Sequence, residues 1–83
     1  MFIVTQNDKS ALNVENITKI FVDDAKSRTG TYILFAYMNT EQYEVLYEDK
    51  SEEKVRRMFE CIITDINDEK SIIDISYLQK VLT

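Results

Sequence analysis

Ser51-Glu52-Glu53-Lys54-Val55-Arg56-Arg57-Met58-Phe59-Glu60-Cys61-Ile62-Ile63-Thr64-Asp65-Ile66-Asn67 is the stretch whose reading decides the fold. Measured from Val55, the apolar residues Met58, Phe59, Ile62, Ile63 and Ile66 follow at steps of 3, 4, 7, 8 and 11. At about 100° per residue these positions share an arc of about 140°, one greasy side of an α-helix. Ser51 is a good N-cap, because its hydroxyl can accept from an amide of the first turn. Glu52 and Glu53 follow where carboxylates favour the positive end of the helix dipole. Asn67-Asp68 ends the pattern. Cys61 falls about 140° from the centre of the arc, which predicts an exposed thiol on the polar side. An amphipathic helix of this kind needs a partner surface, and the residues before it supply one.

Upstream, the period changes from helical to alternating. Phe2–Thr5 is a short β-rich run, stopped by the turn-forming Gln6-Asn7-Asp8-Lys9-Ser10. Ile17–Val22 is a β-branched strand. The polar 23–30 segment reads as a hairpin loop, with Gly30 free to take a positive φ. Thr31–Met38 is almost continuously apolar, which predicts a central strand buried on both faces. After an Asn39–Gln42 turn, Tyr43–Glu48 gives a fourth strand. Alternation puts Tyr43, Val45 and Tyr47 on one of its faces and Glu44, Leu46 and Glu48 on the other. Downstream of the helix, Ser71-Ile72-Ile73-Asp74-Ile75 reads as a fifth strand. Asp74 could equally cap a short helix with Ile75, Leu78, Val81 and Leu82 on one side; a strand followed by a short helix is the favoured reading. Strands followed by one helix imply an α+β fold: an antiparallel β-meander of four to five strands packed on one amphipathic helix, with an ambiguous C-terminal tail. Residues 1–83 make a single domain.

The bulk composition excludes much chemistry. The chain has 83 residues, no histidine, no proline, one glycine and one cysteine. Without histidine, a Ser-His-acid or Cys-His site is impossible and the commonest general base is missing. One cysteine cannot build a zinc site, and one glycine excludes a phosphate loop or a dinucleotide fingerprint. Asp65-Ile66-Asn67-Asp68-Glu69 has a calcium-loop flavour, but Lys70 stands where the loop needs glycine and Ser76 where it needs glutamate. No cofactor, metal or catalytic residue is therefore expected. There is no basic leader, no apolar run approaching a membrane span and no disulfide framework, so the sequence leads us to expect a cytoplasmic protein without membrane contact.

Net charge is −5, and six acids against Lys50 alone between Glu41 and Glu53 account for all of it. Such a region repels nucleic acid, so no direct nucleic-acid binding is expected. Five tyrosines are many for this length, and tyrosine combines an apolar body with a polar tip suited to interfaces. The fourth strand and the helix start bring both features together, which makes Tyr43, Glu44, Tyr47, Glu48, Asp49 and Glu52 the candidate interface. The acidic block has a plainer reading as a solvated face. Its divalent-ion reading, through Glu44 and Glu48, is the weakest.

Met1-Phe2-Ile3-Val4-Thr5-Gln6-Asn7, then Asn13-Val14-Glu15-Asn16-Ile17, then Ser51-Glu52-Glu53-Lys54-Val55, in that order, resemble a group of short uncharacterised proteins of Gram-positive bacteria and their phages. In those proteins a few strands precede a helix opening with a Ser-Glu-Glu-Arg-like run. The resemblance covers most of the chain, and the tail after Glu69 departs from it. It implies the same layout and a phage or mobile-element origin, and no family function comes with it. No feature of the sequence identifies the function. The leading expectation is a non-enzymatic protein-binding module, with a homodimer as one form of it. The alternative is an acidic phage-borne inhibitor of a host nucleic-acid machine, of the anti-CRISPR or anti-restriction type. A carboxylate-based enzyme is the most distant reading.

Overall fold

The computed structural model describes residues 1–83 apart from Asp24, Thr40 and Thr83. Asp24, in the expected 23–30 loop, and Thr40, in the expected 39–42 turn, lie outside the described residues. The fold is α+β. Its strands are β1 (Phe2–Val4), β2 (Ala11–Asn13), β3 (Ile17–Val22), β4 (Tyr32–Met38), β5 (Tyr43–Asp49) and β6 (Ile72–Asp74). Helix α1 spans Glu52–Asn67 and helix α2 spans Ile75–Leu82. No helix among the described residues is long and apolar enough to cross a membrane.

The strands form two sheets rather than one meander. β3, β4 and β5 make an antiparallel meander with β4 in the middle. β1 does not join it. It pairs antiparallel with β2 and parallel with β6 in a second three-stranded sheet. Antiparallel pairing holds within β3-β4-β5 and between β1 and β2, but the expected single run of four to five strands is corrected to two three-stranded sheets, with β1 and β6 parallel. The physical reason is length: three-residue strands are too short to show alternation, and parallel pairing links residues far apart in the chain. In the small sheet Ile3 sits directly between Leu12 and Ile73, and all three are buried.

Helix α1 lies across the inner face of β3, β4 and β5. Ser51 caps it as expected, its Oγ accepting from the Lys54 amide at 3.3 Å. Val55, Met58 and Ile62 are fully buried among Leu34, Ala36, Leu46 and Tyr47 from the meander. Phe59 and Ile66 are half-buried, while Ile63 is 44% exposed and Cys61 is half-buried rather than exposed. The helix is thus rotated, taking Ile63 outward and Cys61 inward. The helix has a second neighbour besides the meander, α2, against which it also packs. The tail follows the favoured reading. β6 leads into α2, and Asp74 accepts from the Tyr77 amide at 3.3 Å at the helix start. Ile75 is buried, Leu78 and Leu82 are half-buried, and Val81 is exposed.

Helix α1 ends in a Schellman motif. The Lys70 amide bonds the Asp65 carbonyl and the Glu69 amide bonds the Ile66 carbonyl. Glu69 is then the left-handed residue, with φ 56°, where glycine is the usual choice. A side chain there costs about 1–2 kcal/mol, partly offset by the extra chain entropy glycine would lose, about 0.5–1 kcal/mol. Glu69→Gly should therefore raise stability by roughly 0.5–1 kcal/mol. Thermal unfolding checks it: the midpoint should rise by about 2–8 °C for a domain of this size, and a fall would show that Glu69 makes a contact outweighing its strain.

Candidate functional surface

The outer face of the meander is where this fold departs most from an ordinary solvated sheet. Register places Lys19 and Phe21 of β3, Ile33, Phe35 and Tyr37 of β4, and Tyr43 and Val45 of β5 on that side. The sequence leads to the expectation that β4 is covered on both faces. It is not: Leu34 and Ala36 on the inner side are fully buried, whereas Phe35 and Tyr37 on the outer side are only half-buried, and the rings shelter one another. Phe21 and Phe35 stack with centroids 5.3 Å apart and planes at 22°. Tyr43 meets both edge-on, at 5.9 and 6.1 Å, and Tyr37 lies 4.8 Å from Tyr43. The Lys19 ammonium stands 5.0 Å from the Phe21 centroid. Tyr43 is 62% exposed and Val45 44%. Contiguous apolar and aromatic surface of this kind marks interaction sites, because water is an unfavourable neighbour for it.

Two depressions flank Tyr43. One, of about 320 Å³, is lined by Phe21, Asp23, Phe35 and Tyr43. The other, of about 380 Å³, runs between the loop from Thr5 to Ser10 and the edge residues Tyr43, Glu44, Val45 and Glu48 of β5. The loop is held by its own bonds. The Thr5 amide donates to the Ser10 carbonyl at 2.8 Å, and Thr5 Oγ1 accepts from the Ser10 amide at 3.0 Å. Asn7 and Asp8 take positive φ, at 63° and 56°, a conformation those two residue types tolerate better than most. From this loop Gln6 reaches β5: its Oε1 accepts from the Glu48 amide at 3.0 Å and its Nε2 donates to the Glu48 carbonyl at 3.3 Å.

The six candidate residues do not share one surface. Tyr43, Glu44 and Glu48 line the groove at the β5 edge. Tyr47 does not join Tyr43. Between the pairs Leu34–Tyr47 and Phe35–Val45 the register shifts, leaving Leu46 as a bulge. A bulge carries two consecutive residues opposite one, so alternation breaks. Leu46 and Tyr47 both point inward, and Tyr47 is 2% exposed. The expected grouping of Tyr43, Val45 and Tyr47 on one face is therefore corrected at Tyr47. Asp49 is drawn into the start of α1, where its Oδ2 accepts from the Tyr47 hydroxyl at 2.7 Å and its Oδ1 from the Ser51 amide at 2.9 Å. Glu52 pairs with Arg56 one turn on, at 3.0 Å. Glu48, besides its clamp to Gln6, accepts from Thr31 Oγ1 at 3.0 Å. Among the described residues no group of three acids or thiols converges as a metal ion requires. Phe21, Phe35, Tyr37 and Asp23 were missed. The alternation of Phe35 and Tyr37 with buried Leu34 and Ala36 was a usable signal, hidden by the unbroken apolar run.

Two shifted ionisations belong to the helix start. Burial, the hydrogen bond to Asp49 and the Asp49 charge all push the Tyr47 hydroxyl well above its ordinary 10.0. At Asp49 burial alone would raise the carboxyl. Bonds from the Ser51 amide and the Tyr47 hydroxyl, the Lys54 charge and the Lys50 amide outweigh it and hold the carboxyl below its ordinary 3.8. For Tyr47 the folded chain keeps its proton to higher pH than the unfolded chain. Its contribution is whole below about pH 10 and shrinks above it, by at most about 1.4 kcal/mol per pH unit. For Asp49 the contribution is whole above about pH 4 and is lost as pH falls further. We expect urea midpoints to decline above pH 10, and Tyr47→Phe to flatten that limb. An equal decline in the variant would assign the alkaline loss to other groups.

No family model matches the chain, and comparison with curated proteins and with solved structures finds no match.

Proposed function

We propose that this protein is a non-enzymatic binding module of the cytoplasm that grips a protein partner through the outer face of β3, β4 and β5. The observation that carries the reading is the aromatic cluster of half-buried Phe21, Phe35 and Tyr37 around exposed Tyr43, on the outer side of a sheet whose other side already seals the core. Rigid rings lose little conformational freedom on binding and supply large contact area, which is why such residues dominate interface energetics. The exposed Tyr43 is the natural probe. Tyr43→Lys should leave the melting point within a few degrees and cut recovery of a partner from host lysate at least tenfold. Recovery of the same partner in the same yield would defeat the proposal.

The second reading, an acidic phage-borne inhibitor of a host nucleic-acid machine, draws support from the exposed Glu41, Glu48 and Glu53. It is weakened by the inward commitment of Asp49 and the pairing of Glu52. Salt separates the two: an acidic mimic releases its partner steeply as ionic strength rises, whereas an aromatic interface holds.

A further inference from the structure

We infer that the free edge of β5 receives an extended basic segment of the partner, added as a further strand beside Tyr43–Val45. The inference rests on the protein-binding reading above and supplies its mode. In an antiparallel ladder, residues bonded to the neighbouring strand alternate with residues whose amide and carbonyl turn away. The Met38 amide bonds the Gln42 carbonyl, which sets the phase. Tyr43 and Val45, opposite Tyr37 and Phe35, then direct their backbone groups to the open side, as does Glu48, opposite Ile33. The opposing strand agrees, since the Ile33 and Tyr37 carbonyls are both engaged on the β3 side, by the Asp23 amide and Thr18 Oγ1.

Gln6 shows what this edge accepts. Its carboxamide takes the Glu48 amide and offers a donor to the Glu48 carbonyl, the pair of bonds a neighbouring peptide unit would make. The chain thus closes its own edge at Glu48 and, among the described residues, leaves it open at Tyr43 and Val45, above the 380 Å³ groove. The groove carries Glu44 and Glu48 against Lys9. A second copy is a poor occupant, because two β5 edges paired antiparallel would bring the Glu44 and Glu48 carboxylates of both copies together. A basic segment has the complementary charge. An arginine or lysine placed beside Tyr43 could lay its stem along the ring and its head over the aromatic face, where Lys19 already stands over Phe21.

The test is an NMR titration of the full chain with acetyl-Thr-Val-Arg-Val-Lys-Thr-amide. Amide perturbations should centre on Tyr43, Val45 and residues 6–10. Two versions N-methylated on alternate residues block one or other hydrogen-bonding edge of the peptide, and one of them should bind at least tenfold more weakly. Replacing its arginine and lysine with glutamate should do the same. Val45→Pro removes only an outward amide, which an edge strand tolerates, and should also weaken binding at least tenfold; should that variant unfold, the N-methylated peptides decide on the native chain. No binding, or equal binding of both N-methylated peptides, overturns strand addition. Loss of partner capture in Tyr43→Lys beside a failed titration discards the mode and keeps the module; unchanged capture discards the module itself.

Discussion

Met58→Ala should remove about 2–5 kcal/mol of stability, among the largest losses expected of a truncation in α1. Met58 is wholly buried where α1 crosses the meander, so shortening it both forfeits transfer energy and leaves a cavity. A domain of 83 residues has only about 4–12 kcal/mol in total. Urea denaturation should show the midpoint collapsing while the slope holds. The matched control is Ile63→Ala on the same helix. Ile63 is 44% exposed, and its truncation should cost clearly less, about 1 kcal/mol or under. Equal losses at the two positions would contradict the rotated face described above.

Tyr47→Ala should cost about 3–5 kcal/mol, and Tyr43→Ala much less, about 1 kcal/mol. The two tyrosines stand four residues apart on one strand, and simple alternation would give them the same surroundings. The bulge at Leu46 separates them. Tyr47 fills the core, and its hydroxyl holds Asp49, which in turn bonds the amide of the capping Ser51. Removing the ring empties a buried site and unties the first turn of α1. Calorimetry of the two variants checks this directly. A partner-binding defect in Tyr47→Ala without loss of stability would restore it to the surface.

These two contrasts also mark how far the sequence could be read. Helix α1 was legible from its long regular period, its cap and end from Ser51 and Asn67-Asp68, and the β3-β4-β5 meander from long β-rich runs separated by polar turns. Ile63 and Cys61 were misplaced because periodicity locates an apolar arc but not how a helix is turned against its neighbours, and α1 packs on both the meander and α2. Tyr47 was misplaced because a bulge leaves no residue signature when no glycine marks it. β2 and the parallel β1–β6 pair were invisible, since three residues carry no alternation. Of the six candidate surface residues, Tyr43, Glu44 and Glu48 come together at the β5 edge, whereas Tyr47, Asp49 and Glu52 are engaged in building the start of α1. The aromatic face was read as core, because apolar residues on a central strand look alike whether a partner element covers them or not.

The pairing of β1 with β6 has a consequence for how the molecule is made. Ile3 meets Ile73 only after seventy further residues have been polymerised. At about 5–20 residues per second, ribosomal synthesis leaves the first strand waiting some 4–14 s for its parallel neighbour. During that interval the β3-β4-β5 hairpins can assemble, yet one flank of the nascent chain stays unsatisfied. Protease trimming of ribosome-stalled chains should accordingly nick residues 1–13 until the Ile72–Asp74 segment has emerged, and spare them afterwards.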